Sequence, residues 1–271
     1  MCRAMMTGRA LVTVLALFGV PGLPVGARAQ LSVAELEVFL QPEAAASRTG
    51  VIRITNEADR PVQALLEVQD WRRDEAGANQ FLPLGSVAGS CAGQIEVFPA
   101  SVRLDAHATE AVRVSFTGTA AVSCWAIVFI QANEPPRQPG RQSQITYVIR
   151  TGVKVYVQPE RAVRSGEVSA VRLVTVQQSA ADSSSARSVE VLFLNTGEAH
   201  LRTAGAIEVR NADNQVAAKL SIASFPIAPH DARRLLLPLP QLPPGRYIVL
   251  ALLDYGGAEI AAGQAELEIP R

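Results

Sequence analysis

The side chains of this chain that could do chemistry are few and lie far apart in the sequence. Its three histidines are His107, His200 and His230, and each has a carboxylate within two residues. None has another histidine or a cysteine at the spacing of metal ligands, so the sequence predicts no metal site. All three lie in turn-like contexts, and we expect solvated histidines without a catalytic role.

One pair of carboxylates stands close together. Asp70 and Asp74 flank a Trp-Arg-Arg tripeptide where a predicted strand ends. Two neighbouring carboxylates could act as general acid and base, but the pattern favours a charged hairpin tip. The sequence also contains no GxSxG nucleophile elbow, no P-loop and no dinucleotide fingerprint. We therefore predict a protein that is not an enzyme and that uses no cofactor.

The first 29 residues have the pattern of a cleavable signal peptide. Basic residues precede an apolar run, Ala10–Val20, and Ala27-Arg28-Ala29 forms a small-x-small cleavage site. We expect an exported mature chain that begins at Gln30. An N-terminal membrane anchor is the alternative, and it fits less well because prolines and glycines follow the apolar run.

Charge and hydropathy argue against two classes of partner. The 25 basic and 25 acidic residues of the full sequence give a formal net charge of +0, which argues against nucleic acid and against a polybasic membrane surface. No apolar run after the signal peptide is long enough to span a membrane. We therefore predict no membrane span after cleavage.

Two cysteines, Cys91 and Cys124, remain after cleavage. An even number of cysteines in an exported chain predicts one disulfide. In the chain-entropy model, closing a loop of this size stabilises the fold by roughly 3–4 kcal/mol. A reactive dithiol is the alternative, but the two residues have no CxxC spacing to support it.

The mature sequence predicts many short strands and almost no helix. Between residues 31 and 157, apolar runs separated by turn signals indicate about seven to nine strands, as expected of an immunoglobulin-like sandwich. Trp125–Ala132 is almost continuously apolar, which is typical of a strand buried on both faces. A second set of strands begins near Val168, and its Ser-rich segment Gln178–Arg187 predicts a flexible hairpin loop.

The predicted fold is therefore all-β, with two immunoglobulin-like β-sandwich domains in tandem. We place the first at residues 30–158 and the second at residues 163–271, because Gln158-Pro159 ends the first set of strands.

The strand predicted at residues 145–157 is unusual in its length and its surroundings. Apolar residues alternate along it, and at roughly 43 Å it would be about twice as long as most strands. It follows a Pro-rich loop, so we expect one end to be poorly covered. An uncovered apolar strand promotes aggregation unless a partner uses it. The alternative is an ordinary sandwich strand covered by its neighbours.

Four short motifs together resemble the PapD-like periplasmic pilus and fimbrial chaperone family. Asn133–Arg137 resembles the family's E-x-P-P-R segment, and Gly152–Pro159 resembles its K-I-K-L-F-Y-R-P strand end. Arg53–Asn56 resembles the end of its second strand, and Asp254–Gly257 resembles a D-Y-G turn of its second domain. The order and spacing of the motifs carry the resemblance, which is strongest over Leu31–Pro159.

The resemblance implies a function in subunit binding. In that family the last strand of the first domain is lent to an incomplete pilin subunit, and here Ile145, Tyr147 and Ile149 match the donor residues. Lys154 matches the lysine that anchors the subunit's C-terminal carboxylate, the alternative being a solvated lysine near the interdomain hinge. Asp254 matches one charge of an interdomain network. The implied partner is a pilin-like or other incomplete Ig-like subunit, with an outer-membrane usher as a further candidate.

Several residues depart from the family's pattern. Leu36 stands where the family has its anchoring arginine, for which Arg48 or Arg150 could substitute. Gln158 and Cys124 stand where the interdomain network has two of its charges. These departures favour a divergent branch of the family.

The sequence-based hypothesis is a periplasmic chaperone-like protein that binds pilin- or fimbrial-type subunits through the strand at residues 145–157. A secreted structural or adhesive surface protein of two Ig-like modules, without a pilin client, is the alternative. Because Ile149 and Lys154 have opposite parity, we also predict a bulge at Gly152 that directs both toward one partner.

Overall fold

The computed structural model describes residues 30–133, 148–179 and 182–270, with backbone only at 177–179 and 182–186. The predicted signal peptide, residues 1–29, lies outside the described residues. Within the described ranges, no helix combines the length and the apolar character needed to cross a membrane.

The described residues form strands joined by turns and two short 3-10 helices. The strands in chain order are β1 (Leu31–Val33), β2 (Glu37–Leu40), β3 (Thr49–Asn56), β4 (Val62–Arg73), β5 (Asn79–Leu82), β6 (Ile95–Phe98), β7 (Ser101–Leu104), β8 (Thr109–Phe116), β9 (Cys124–Ala132), β10 (Arg150–Val157), β11 (Gly166–Ser179), β12 (Asp182–Asn195), β13 (Leu201–Asn211), β14 (Val216–Ile227), β15 (Ala232–Pro238), β16 (Gly245–Asp254) and β17 (Ala261–Ile269). The 3-10 helices are Ala45–Arg48 and Ala92–Gln94.

Two sheets form the first sandwich. One sheet has the order β1-β3-β8-β6, and the other has the order β2-β10-β9-β4, with β5 and β7 on the outer edge of β4. Apolar side chains of alternating residues on both sheets meet in one core, because successive strand residues point to opposite faces. The segment Leu31–Leu40 divides between the two sheets: β1 is antiparallel to β3, whereas β2 is parallel to β10.

The second sandwich packs a three-stranded sheet, β11-β12-β15, against a four-stranded sheet, β14-β13-β16-β17. It has its own core of buried apolar side chains, separate from that of the first sandwich. The prediction of an all-β fold with two sandwiches in tandem is therefore confirmed. The exact domain boundaries stay a prediction.

The prediction of a flexible loop at Gln178–Arg187 is wrong for most of that segment. Strands β11 and β12 continue into it, with Val176 opposite Ala186 and Gln177 opposite Ser185. The hairpin is held by backbone hydrogen bonds, which do not need apolar side chains. The polar composition that suggested a loop therefore marks the outer part of a β-ribbon.

The structure confirms both the central strand and the disulfide. Strand β9 lies between β10 and β4 and is buried on both faces over most of its length. Cys91 and Cys124 are joined, with their Cα atoms 5.5 Å apart. The bond attaches the segment that follows β5 to the beginning of β9, next to the backbone hydrogen bond from Cys91 N–H to Trp125 O (3.2 Å).

Candidate functional site

The outer face of the sheet that contains β10 carries a second, smaller apolar cluster. We call it the outer-face cluster; its buried members are Trp71, Trp125, Ile127, Phe129 and Tyr156. The indole N–H of Trp71 donates to Ala126 O (3.0 Å), and that of Trp125 donates to Trp71 O (2.7 Å). Both polar groups of the two rings are thereby satisfied, which allows the rings to be buried.

A loop held by Asp70 covers part of this cluster. The Asp70 side chain is 1% exposed and accepts hydrogen bonds from Ser86 N (2.6 Å), Val87 N (2.9 Å) and Ser90 Oγ (2.7 Å). The prediction of a charged hairpin tip is therefore wrong for Asp70, which is buried within β4. It is right for Asp74, whose carboxylate accepts from Ala78 N (2.8 Å) in the turn between β4 and β5.

Strand β10 is shorter than the predicted strand at residues 145–157. It begins at Arg150, and the two preceding residues, Val148 and Ile149, are exposed and outside the strand. Ile145 and Tyr147 lie outside the described residues.

Part of one edge of β10 has no neighbouring strand in the described chain. Strand β9 pairs with all of β10, whereas β2 pairs with it only from Lys154 onward, where Lys154 N–H donates to Leu36 O (3.0 Å). Alternate residues of a strand direct their backbone groups to the same side. The N–H and C=O of Gly152 and Arg150 therefore face the side on which β2 has ended.

The predicted bulge at Gly152 is wrong, because β10 pairs with β9 in one register without a shift. The faces of β10 therefore alternate regularly, with Gly152 and Lys154 on the face opposite to that of Val153. The glycine has a different role: a Cβ at Gly152 would lie 2.7 Å from Ile127 Cδ1 and 3.2 Å from Phe129 Cε1. The missing side chain leaves space for the outer-face cluster at the base of a groove.

We call this depression the outer groove. Its lining residues are Leu36, Glu37, Asn79, Phe81, Ile127, Phe129, Arg150, Gly152 and Lys154. Apolar side chains form its base and two basic side chains border it. Phe81 packs edge-on against Phe129 at 5.0 Å, and Arg150 Cζ lies 4.2 Å from the centre of the Phe129 ring. The groove opens beside the unpaired edge of β10.

Lys154 carries a half-buried ammonium group at this groove. Its Nζ lies 4.9 Å from the centre of the Trp71 ring, and no ion pair to it occurs within the described ranges. Burial is the main cause that lowers the pKa of Lys154; Arg73 and Arg202 lower it further, and Glu37 opposes them. An anionic group of a partner would stabilise this ammonium by a charge-assisted hydrogen bond.

The basic residues considered as substitutes for an arginine at Leu36 have other contacts. The Arg48 guanidinium donates to the carbonyl oxygens of Pro42, Phe116 and Gly118. These hydrogen bonds give Arg48 a structural role within the first sandwich. Arg150 donates to Glu67 Oε2 (2.8 Å) and packs on the groove base.

Arg202 of β13 contacts Glu37, a residue that lines the groove, and sequence reasoning did not identify it. Its Nη2 donates to Glu37 Oε2 (2.7 Å), next to the backbone of Lys154 in the β2–β10 pairing. Leu36 itself is exposed at the groove's rim. Because Arg202 and Glu37 are far apart in the chain, only the packing of the two sandwiches reveals this arrangement.

His200 contradicts the expectation of a solvated histidine. Its ring is buried against Tyr156 of β10, with the ring centres 4.2 Å apart, so it lies where the two sandwiches meet. Burial is the main cause that lowers the pKa of His200 to about 3; the charges of Arg73, Arg202 and Lys154 add to it. A turn that contains Gly197 precedes His200 in the sequence, and nothing local signals that a distant strand covers the histidine.

The other two histidines are exposed in turns, as predicted. His107 and His230 have left-handed backbone angles, φ 60° and 63°. His107 Nε2 lies 3.0 Å from Asp59 Oδ1. Within the described ranges, no group of three or more His, Cys, Asp or Glu side chains could hold a metal ion.

The burial of His200 predicts a loss of stability in acid. The unfolded chain takes up a proton near pH 6.5, whereas the folded histidine stays neutral to about pH 3, so the free energy of unfolding falls as the pH drops through this window. Relative to a His200→Phe variant, we expect wild type to lose about 2 kcal/mol more between pH 8 and pH 5. Urea unfolding of both proteins across this range checks the difference; parallel pH profiles would contradict the assignment.

The residues proposed for an interdomain network lie as follows. Asp254 is exposed and accepts from Gly256 N (2.8 Å) in the turn after β16. The Gln158 side-chain amide is oriented so that both of its polar atoms are hydrogen-bonded. Its nitrogen donates to His200 O (3.3 Å), and its oxygen accepts from Arg164 Nη2 (3.2 Å). An interdomain role of Asp254 stays a prediction.

The comparison with solved structures supports the fold. A chain from a chaperone–tip adhesin complex of CFA/I fimbriae biogenesis aligns with a TM-score of 0.52 and 12% identity, over 90% of this chain and 100% of that chain. The class 5 fimbriae chaperone CfaA aligns with a TM-score of 0.51 and 12% identity, over 89% and 100%. No protein-family model and no curated protein sequence matches this chain. The chain therefore has the PapD-like chaperone fold.

Proposed function

We propose that this chain, which has the PapD-like fold, is a periplasmic chaperone that binds pilin- or fimbrial-type subunits by strand donation and is not an enzyme. The observation that carries the proposal is the edge of β10 that has no partner strand among the described residues, bordered by the exposed Ile149 and by the ammonium of Lys154. A free strand edge offers main-chain hydrogen bonds to an added strand, and alternate side chains fill the partner's pockets.

The client is an Ig-like subunit that lacks one strand of its own sandwich. Ile145, Tyr147 and Ile149 share the parity of Val153, which faces the first core. In the complex these three side chains enter the client's open core. Burial of each contributes roughly 1.5–3 kcal/mol before the cost of ordering the segment.

The client's C-terminal carboxylate binds at Lys154. Arg202 supplies the second cation in place of an arginine at Leu36, because its guanidinium already holds a carboxylate, that of Glu37, beside β10. The client's carboxylate then competes with Glu37 for these two cations. This arrangement also sets the register of the added strand, since the chain terminus is fixed at one point.

Lys154 provides a selective test, because Lys154 and Lys219 are the two lysines of the chain. A Lys154→Met variant keeps most of the packing on Trp71 but loses the charge. We expect about tenfold weaker binding of a client-derived C-terminal peptide. Isothermal calorimetry with the free-acid peptide and with its C-terminal amide measures the effect, and the amide should bind both proteins equally weakly.

Lys219→Met is the matched control, since Lys219 is exposed and lies near Glu208 in the second sandwich. It should bind the peptide as wild type does. Equal affinity of wild type and Lys154→Met for the free acid would overturn the anchor.

Export through residues 1–29 into the periplasm belongs to the same proposal, as does an outer-membrane usher as a second partner. Cell fractionation distinguishes this proposal from the alternative of a two-module adhesive protein. A chaperone remains in the periplasm, whereas an adhesive module reaches the cell surface.

A further inference from the structure

The hairpin of β4 and β5 extends from the first sandwich to the second. Its turn is stabilised internally: Gly77 N donates to Asp74 O (2.9 Å), and Asp74 N donates to Ala78 O (3.0 Å). Gly77 has a φ of 94°, a conformation that residues with a side chain rarely adopt. The tip is thus a defined turn that can serve as a docking element.

The tip of the hairpin is bound to the beginning of β15. Arg234 N donates to Glu75 O (2.8 Å), and Arg234 Nη2 donates to Glu75 Oε2 (2.6 Å). The Arg233 side chain lies directly over Gly77, where a Cβ would be only 1.4 Å from its Nη1. In addition, Arg73 Nη1 donates to Pro226 O (3.2 Å) in the second sandwich.

The stem of the same hairpin forms part of the outer groove. Trp71 of β4 lies beneath Lys154, and Phe81 of β5 packs on Phe129. Arg73 Nε donates to Asn79 Oδ1 (3.1 Å), which connects the two strands just below the tip. One rigid two-stranded element therefore touches both the second sandwich and the groove.

We propose that the β4–β5 hairpin fixes the orientation of the second sandwich and transmits that orientation to the outer groove. Contacts between sandwiches resemble transient interfaces and permit relative motion unless specific contacts hold them. Here the hairpin tip makes backbone and side-chain hydrogen bonds to the second sandwich, and the stem of the same hairpin contains Trp71. A displacement of the tip must move Trp71, because both belong to the same short paired segment. The inference concerns the free protein and does not rest on the proposed client.

The experiment uses reversal of the Glu75–Arg234 pair in the mature full-length protein. Glu75→Arg and Arg234→Glu each place like charges at the tip, and the double variant restores an opposite pair. Nitroxide labels at Glu96→Cys and Gln264→Cys, both exposed positions, report the distance between the sandwiches by double electron–electron resonance. The two tryptophans, Trp71 and Trp125, both belong to the outer-face cluster, so intrinsic fluorescence reports the cluster directly.

We expect the distance distribution to broaden roughly twofold in each single variant and to narrow again in the double variant. Tryptophan emission should shift to the red in the same two variants, and the double variant should recover it. Lys219→Glu, which reverses an exposed charge within the second sandwich, is the matched control and should change neither signal.

Gly77→Val gives an independent test, because its side chain would displace Arg233 from the tip. It should broaden the distances and shift the emission as the single reversals do. Unchanged distances in all three variants would overturn the docking role, and broadened distances with unchanged emission would overturn the transmission to the groove. Both readouts are taken without a client, so neither depends on the chaperone proposal.

Discussion

An Ile149→Asp variant is expected to lose co-purification with its client subunit while its own fold and stability stay those of wild type. Ile149 is 52% exposed and precedes β10, so the change removes little packing in the free protein. In the complex, the apolar side chain is buried in the client, and its loss costs roughly 1.5–3 kcal/mol. A carboxylate left in an apolar pocket adds a further penalty of similar size or larger. We expect affinity to fall by at least about a hundredfold.

The neighbouring residue provides the matched control. Val148 is also exposed, at 69%, but successive strand residues point to opposite faces, so it should face away from the client's core. A Val148→Asp variant should therefore retain the complex. Co-expression of each variant with a tagged subunit, followed by affinity purification, measures the difference. Wild-type yield with Ile149→Asp, or equal loss with both variants, would show that the donor parity is wrong.

An Asp70→Ala variant is expected to destabilise the first sandwich by about 3 kcal/mol or more. The buried carboxylate accepts from two backbone N–H groups and one hydroxyl group. In the variant, Val87 N loses this acceptor, and Ser86 N and Ser90 Oγ keep only their hydrogen bonds to Pro83 O (3.2 Å) and Trp125 O (3.1 Å). Because these donors hold the loop over the tryptophans, emission should also shift to the red. Urea unfolding followed by intrinsic fluorescence measures both effects.

Asp74→Ala is the control for this change, since Asp74 accepts one backbone N–H at an exposed turn. It should cost no more than about 1 kcal/mol. A loss of equal size in the two variants would mean that the buried network around Asp70 contributes no more than a surface turn does.

The comparison of these two aspartates also illustrates the limit of sequence reasoning at this site. Asp70 and Asp74 are four residues apart and have similar neighbours, so their pattern predicted one charged tip. Asp70 is buried because a loop that begins more than ten residues later folds back over it. His200 is a parallel case, since the tyrosine that covers it lies in the other sandwich. Neither contact has a local signature.

The bulge expected at Gly152 was wrong for a related reason. Parity alone predicted that Ile149 and Lys154 belong to opposite faces of one regular strand, and β10 is regular from Arg150 onward, with Ile149 preceding it. The bulge was added only to bring both to one partner. The structure instead has a regular strand. Its edge, its outer face and the preceding residues that share the parity of its inner face are separate surfaces. Gly152 leaves space for Ile127 and Phe129.

The sequence by itself determined the all-β class, the tandem sandwiches, the doubly buried β9 and the disulfide. These follow from period-2 alternation, turn residues and cysteine number, which act over a few neighbouring residues or by simple count. Only the tertiary structure decided that part of one edge of β10 has no partner strand within the described ranges and that Lys154 lies over Trp71. It also decided that Arg202 and the β4–β5 hairpin connect the second sandwich to residues that line the groove. Burial, desolvation and ion pairing depend on residues that are distant in the chain, and only packing brings them together.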